Sequence, residues 1–351
     1  MKIAIVGATG NVGRKIIEVL EQKKLLVEDL CLLASKKSAG TELLFNWKKI
    51  KVQSLEDFDF SKVDITFFSA GKKISEAYAV KAAKCSVVVD NSSYFRMDPD
   101  VPLIVPQVNK HHLSNLKKNI IANPNCSTAQ MVIVLKPLHD LFDIKRVVVS
   151  TYQSVSGAGK ASMDELIEQT RDILAEKKVS SKNFTKQIAF NAIPHIDDFL
   201  DDGYTKEEIK MINETKKILD HKIELTATCV RIPVMVSHSE SLNIEFNKTV
   251  SLSEVRKVLA KAPGCKIIDD PLNNMYATPI DSAGKNETFI SRIRQDNSNK
   301  NSINLWIVSD NLLRGAALNA VEIAETYYNK LQWKIITLYL HTYKFIIGMF
   351  H

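Results

Sequence analysis

Lys2-Ile3-Ala4-Ile5-Val6-Gly7-Ala8-Thr9-Gly10-Asn11-Val12-Gly13 opens the chain and decides its fold. Ile3 to Val6 is a short apolar run of the kind that forms a buried strand, and glycines follow it at once. Val12–Leu20 then carries helical periodicity. The stretch is a G-x-x-G-x-x-G variant of the dinucleotide fingerprint, set between a first strand and a first helix, where the chemistry requires it. Glycines let the backbone approach a pyrophosphate, whose charge rests on the helix N-terminus. Gly7, Thr9, Gly10, Asn11, Val12 and Gly13 are therefore the expected cofactor cradle. Read as structure alone, the same stretch is a tight strand-to-helix turn.

The second strand is expected at Leu30–Leu33. A cofactor with a free ribose 2′-hydroxyl favours a carboxylate at its end. Here the chain reads Ser35-Lys36-Lys37-Ser38, with two lysines and no carboxylate. Hydroxyls and ammonium groups suit a 2′-phosphate, so the expected cofactor is NADP rather than NAD, held by Ser35, Lys37 and Ser38. Two solvated surface lysines are the alternative reading.

Further along, Asp64–Phe68 reads as a third strand, Ser75–Ala83 as a helix and Ser86–Val89 as another buried strand. This alternation implies parallel βαβ units. From Lys145 the texture changes. Arg146–Tyr152, Ile223–Val234, Leu242–Phe246, Glu287–Arg294 and Ile303–Val308 are strand-like, with helices at Ala161–Lys177, Lys206–Leu219 and Leu252–Ala262. The expected class is α/β: a Rossmann-type dinucleotide-binding domain over 1–125, then an α+β catalytic and dimerisation domain with a mixed sheet over 126–310. A helix within 311–330, read over Leu313–Tyr328, returns to complete the first domain. Residues 331–351 form an aromatic, apolar extension, interrupted by His341 and Lys344 and too short of the ~20 apolar residues that span a bilayer.

The 351 residues are 45% hydrophobic and 25% charged, an ordinary globular composition. The net charge of +7 comes from scattered lysines without an aromatic-interleaved basic stripe, which argues against nucleic-acid binding. The five cysteines match neither a disulfide framework nor a zinc site, so no metal is expected. Met1-Lys2 runs straight into the first strand with no secretory signal, and the expected location is a reducing cytoplasm.

One cysteine stands apart. Cys126 lies in Asn123-Pro124-Asn125-Cys126-Ser127-Thr128, ahead of the apolar run Met131–Leu135. Pro124 and Asn125 favour a turn, and the following residues suit a first helical turn. A helix N-terminus lowers a thiol pKa, and a nucleophilic cysteine needs a base, for which His238 is the best candidate. Local context equally fits a small buried core cysteine and a structural strand-end histidine.

Taken together the motifs resemble those of the aspartate-semialdehyde dehydrogenase family, from Met1 to about Tyr328. They are GATGNVG at Gly7–Gly13, SAG at Ser69–Gly71, DNSSYFRM at Asp90–Met97 and NPNCST at Asn123–Thr128. TYQSVSGAGK at Thr151–Lys160, AFNAIPHID at Ala189–Asp197 and NETKKIL at Asn213–Leu219 follow. TCVRIPV at Thr228–Val234, SHSES at Ser237–Ser241 and SDNLLRGAALNA at Ser309–Ala320 complete the series.

The resemblance implies NADPH-dependent reductive dephosphorylation of L-4-aspartyl phosphate to L-aspartate 4-semialdehyde. The reaction is reversible, runs through a cysteine thioester and leads to lysine, threonine, methionine and diaminopimelate. It implies Cys126 as nucleophile, His238 as general acid/base and Gln153 as orienter of the acyl group. Arg231 then pairs with the α-carboxylate and Glu214 with the α-ammonium, while Lys217, Arg96 and Asn125 hold the phosphate. Ser69, Gly71, Gly159 and Asn311 become cofactor contacts near the nicotinamide. By composition alone, Glu214 and Lys217 are an ordinary solvated i,i+3 pair. Expected partners are aspartyl phosphate, aspartate semialdehyde and phosphate, in a homodimer or homotetramer, with no nucleic acid and no membrane. Lys72-Lys73 departs from the small residues common there, Lys37 stands where arginine is frequent, and Arg314 shifts the usual basic residue by one. The alternative activity is N-acetyl-γ-glutamyl-phosphate reductase, whose acetylated substrate has no ammonium for an acidic partner.

Overall fold

The computed structural model describes residues 1–23 and 25–330. The first sheet contains β1 (Lys2–Val6), β2 (Asp29–Ala34), β3 (Gln53–Ser54), β4 (Ile65–Phe68), β5 (Val87–Asp90) and β6 (Ile120–Ala122). All pairings are parallel, in the order β3-β2-β1-β4-β5-β6. Winding reverses between β1 and β4, where such sheets leave a crevice at the carboxyl ends of the strands. One face packs Ile3, Ile5 and Leu32 against Ile16 and Leu20 of α1 (Asn11–Gln22) and against Leu318, Val321 and Ile323. The other packs Val6, Leu33 and Phe68 against Phe58, Phe60 and Ala79 of α2 (Lys72–Ala82). Burial on both faces is why these strands read as unbroken apolar runs.

Two features of this half escape sequence reading. The strand expected third is fourth in chain order in the sheet, because the two-residue β3 precedes it. An antiparallel hairpin, Glu42–Phe45 with Lys48–Lys51, turns through Asn46 and Trp47 at positive φ. Its second strand is polar and mostly exposed, so it carries no apolar signal.

α3 (Cys126–Phe142) joins the two halves. Ala129, Val132 and Ile133 enter the core of the first sheet, while Met131, Val134, Leu135 and Leu138 enter that of the second. The first half of α3 is buried on all sides from Ser127 to Leu135, and the two sheets provide that burial. Each fully covered aliphatic side chain contributes roughly 1.5–3 kcal/mol.

The second sheet holds β7 (Ile144–Gln153), β8 (Glu224–Arg231), β9 (His238–Phe246), β10 (Cys265–Ile267), β11 (Thr288–Gln295) and β12 (Ser302–Ser309). Its order is β8-β7-β9-β12-β11-β10, with β7–β8 and β10–β11 parallel and the rest antiparallel, a mixed sheet. The run read as Ile223–Val234 stops being a strand at Arg231; Pro233, lacking an N–H, cannot continue the ladder. α4 (Lys160–Leu174) and α5 (Lys206–Ile218) flank the site, α5 opening on a capping box between Thr205 and Glu208. After β12 the chain makes a π-helical turn over Leu313–Ala317 and is helical over 318–330, whose apolar side chains join the first core. The extension 331–351 lies outside the described residues. No described helix is long and apolar enough to cross a membrane.

Candidate active site

Cys126 is the first residue of α3, half-buried, and Asn125 is the N-cap. Asn125 Oδ1 accepts from the backbone N–H of Ser127 at 2.9 Å and of Thr128 at 3.4 Å. Its Nδ2 donates to Glu207 Oε1 at 2.8 Å and its backbone N–H to Glu214 Oε2 at 2.6 Å. Asn125 therefore fixes the start of α3, and its side chain is already engaged at both ends. The expected low thiol pKa is not what this arrangement produces. Burial and the Glu207 carboxylate push the Cys126 thiol up to about 12, against the lowering influence of Arg231, Arg96 and the Ser127 backbone N–H.

Three further residues expected at the site form one rung across neighbouring strands. Gln153 pairs laterally with Arg231 on β8 and with His238 on β9, and His238 pairs with Ser309 on β12. Residues of one rung share a face, so three side chains distant in sequence meet. Arg231 Nη1 donates to the Ser154 carbonyl at 2.7 Å. The Ser154 N–H donates to His238 Nδ1 at 3.0 Å, with the Ser154 hydroxyl 3.1 Å away. A backbone N–H only donates, so Nδ1 keeps its lone pair and the neutral ring carries its proton on Nε2. Burial and then Arg231 hold His238 down to about 3, so it is neutral near neutrality. The ring is thus a hydrogen-bond donor at Nε2, and the acceptor role expected towards the thiol does not fit this tautomer. Gly157 covers both groups: a β-carbon there would lie 3.0 Å from His238 Nε2 and 3.1 Å from Arg231 Nη1.

These elements enclose a cavity of about 460 Å³. Of the residues expected at the site, Cys126, Gln153, Arg96, Asn125, Arg231, Val12, Gly71 and Asn311 line it, so Cys126 and the end of the glycine loop share one space. His238, wholly buried, does not, and neither do Glu214 and Lys217. Glu214 is buried in a bridge to Arg96 Nη1 at 2.9 Å and to the Asn125 N–H. Lys217 Nζ spends three donors on the carbonyls of Arg96, Asp98 and Val101, at 2.7–2.9 Å. Glu207 and Lys210 line the cavity instead, paired at 3.2 Å. The sequence contains the signal: Glu-x-x-Lys occurs twice on α5, seven residues apart, hence twice on one face. The first copy faces the cavity and the second braces the loop that carries Arg96. Arg96 also donates to the Asn123 and Asn91 carbonyls, which fixes its plane at the cavity wall.

At the cofactor loop, Gly7 adopts φ +84° and a β-carbon on it would meet the Ser69 backbone at 2.9 Å. On Gly13 it would stand 2.2 Å from the Gly7 carbonyl oxygen. Gly10 caps α1 with no side chain, so the first N–H groups of the helix are left for an anion. These features fit a dinucleotide pyrophosphate. Ser69 donates its hydroxyl to the Val6 carbonyl at 2.8 Å, clamping β1 to β4 at the crevice. Thr9 offers its carbonyl to Arg14, and Asn11 Nδ2 reaches Met163 Sδ at 3.5 Å. Lys36 is taken by Glu56 at 2.5 Å, whereas Ser35, Lys37 and Ser38 occupy the exposed turn after β2. Gly159 opens α4. Asn311 is engaged at both ends, its Oδ1 accepting from Ser154, Ser156 and the Ser237 N–H, and its Nδ2 donating to Ser156.

The family "Semialdehyde dehydrogenase, NAD binding domain" matches residues 2–116, and the family "Semialdehyde dehydrogenase, dimerisation domain" matches 135–314. The chain is 52% identical to an aspartate-semialdehyde dehydrogenase of Aquifex aeolicus over 329 residues, 92% of this chain and 97% of that one. It is 46% identical to the Bacillus subtilis protein of the same name over 338 residues, 93% and 97% of the two chains. A crystal structure of Vibrio cholerae aspartate semialdehyde dehydrogenase II complexed with ASA superimposes with a TM-score of 0.92 at 45% identity, covering 93% of this chain and 98% of that one.

Proposed function

Because the chain belongs to the aspartate-semialdehyde dehydrogenase family, we propose that it reduces L-4-aspartyl phosphate to L-aspartate 4-semialdehyde with NADPH, reversibly and through a thioester on Cys126. The observation that carries the reading is the single cavity in which Cys126, Gln153 and Arg231 face Glu207 and Lys210, with His238 behind Gly157.

Cys126 Sγ attacks the acyl carbon, phosphate leaves, and the thiol proton departs with it as hydrogen phosphate. NADPH, when bound, supplies hydride to the acyl carbon. The oxygen that becomes negative accepts a hydrogen bond from His238 Nε2–H, and collapse releases the aldehyde and the thiolate, which takes a proton from solvent to restore the resting thiol. Gln153 orients the acyl group. Arg231 offers its fork to the α-carboxylate, and Glu207 offers a carboxylate to the α-ammonium. Arg96 and Lys210 are the cations for phosphate. Gly7–Gly13 would hold the pyrophosphate, with Ser35, Lys37 and Ser38 at a 2′-phosphate and Ser69 and Gly71 at the crevice. The same reading makes the protein a cytoplasmic homodimer or homotetramer of the pathway to lysine, threonine, methionine and diaminopimelate. Glu207 in the cavity disfavours an acetylated amine and hence N-acetyl-γ-glutamyl-phosphate reduction. The deciding assay is phosphate-dependent NADP+ reduction with L-aspartate semialdehyde against N-acetylglutamate semialdehyde, repeated with NAD+. Preference for the acetylated aldehyde, or full activity of Cys126→Ser, overturns the proposal.

A further inference from the structure

Below the rung of Arg231, Gln153 and His238 lies a second one on the same face. Cys229, Thr151, Glu240 and Ile307 pair side by side across β8, β7, β9 and β12. Glu240 is wholly buried there. Its Oε1 accepts from Gln130 Nε2 at 2.8 Å, and the same Nε2 lies 3.2 Å from the His238 carbonyl oxygen. Gln130 is four residues beyond Cys126, about one turn along α3. One amide thus ties the helix of the nucleophile to the strand of the histidine.

Two atoms of this tie have no partner: Gln130 Oε1 and Glu240 Oε2. If Glu240 is ionised, both are acceptors, and no cation bonds the carboxylate among the described residues. An uncompensated buried charge is costly. A single proton on Oε2 turns one orphan into the donor that the other lacks.

We propose that Glu240 is a neutral carboxylic acid in the working protein, and that its hydroxyl donates to Gln130 Oε1 while Gln130 Nε2 donates to Glu240 Oε1. This reciprocal pair sets the Cys126 helix against the His238 strand. Glu240 is a positioning residue, acting through Gln130. Burial pushes its carboxyl well above the usual carboxylate range, and the bond from Gln130 only partly opposes this. The ionisable groups beside it are His238, two residues away on its own strand, and Cys229, across Thr151 on β8. Cys229 also feels Glu207 and Glu208 of α5, whose charges oppose a further anion. Arg231 is directed to the Ser154 carbonyl.

The inference rests on the proposed function only for the roles of Cys126 and His238, and two of its tests are independent of activity. In infrared difference spectra at about pH 8, where an ordinary glutamate is ionised, the wild type shows a protonated carboxyl band that Glu240→Gln lacks and Cys126→Ser keeps. The raised folded-state pKa means that the folded chain retains a proton the unfolded chain releases. Glu240 therefore makes stability fall as pH rises from about 4.3 towards the folded-state value. The Tm of Glu240→Gln relative to wild type accordingly climbs between about pH 5 and pH 8. In the semialdehyde assay, Glu240→Leu lowers kcat roughly tenfold or more with KM little changed, and Glu240→Gln recovers most of it. A missing band, a pH-independent Tm difference, or Gln failing to recover what Leu loses overturns the proposal. Loss of the semialdehyde activity in the wild type would instead overturn the functional reading and leave the band and the Tm trend intact.

Discussion

Gly315 lies so close to Cys126 that a β-carbon on it would stand 2.5 Å from the Cys126 Cβ. The π-helical turn Leu313–Ala317 brings that glycine over the first turn of α3. Gly315→Ala must displace one backbone or the other, costing about 1–3 kcal/mol by overpacking. The expected result is a lowered Tm together with a kcat loss larger than any change in KM, measured by thermal unfolding and steady-state kinetics. A variant with wild-type kcat would remove Gly315 from the support of the nucleophile.

The two Glu-x-x-Lys copies on α5 separate binding from stability. Glu207→Ala removes a cavity carboxylate and raises KM for the semialdehyde roughly 10- to 100-fold, the worth of one charge-assisted hydrogen bond. Glu214→Ala strips Arg96 and the Asn125 N–H of their shared acceptor and costs about 3–5 kcal/mol of folding stability. Denaturant unfolding and substrate titration of both variants distinguish these effects; an unaltered KM in Glu207→Ala refutes its contact with substrate.

The thiol of Cys126, pushed up to about 12 by burial and Glu207, implies slow alkylation of the resting protein. Iodoacetamide reactivity at this residue should climb about tenfold per pH unit between roughly pH 7 and pH 9, because only the thiolate reacts. Glu207→Gln should speed it at fixed pH. A plateau below about pH 8 would mean that the helix N-terminus outweighs burial after all.

His238 has the opposite linkage. Its folded-state value of about 3 lies below the ordinary histidine value, so the unfolded chain takes up a proton the folded one refuses. Stability therefore falls as pH drops from about 6.5 towards 3, by at most about 1.4 kcal/mol per unit. His238→Gln should flatten part of that slope in urea unfolding at acidic and neutral pH. An identical slope would show that the fold does not lower the ring's proton affinity.

The strand-helix alternation of the first half and the place of Cys126 at a helix start were legible because both depend on local pattern. The apolar run Lys2–Val6, the glycines after it and Asn125 before Cys126 carry their structure in their immediate neighbours. The rung of Gln153, Arg231 and His238 depends on strand register, which no local window contains; only the family motifs grouped those residues. Glu207 and Lys210 were hidden by their own repetition, since Glu214 and Lys217 offer the same side chains on the same face. The thiol and imidazole charge states were illegible too, because burial sets them and burial is a property of the whole fold.

The return of the chain after β12 has a practical corollary. Leu318, Val321 and Ile323 complete a core that otherwise begins at Met1, and the segment leading to them roofs Cys126. Expressing the amino-terminal 125 residues by themselves would leave an open hydrophobic wound rather than a detachable module. A protease cut between Asp310 and Ala324 should abolish turnover and loosen the amino-terminal sheet in one event, so neither half can be retired without the other.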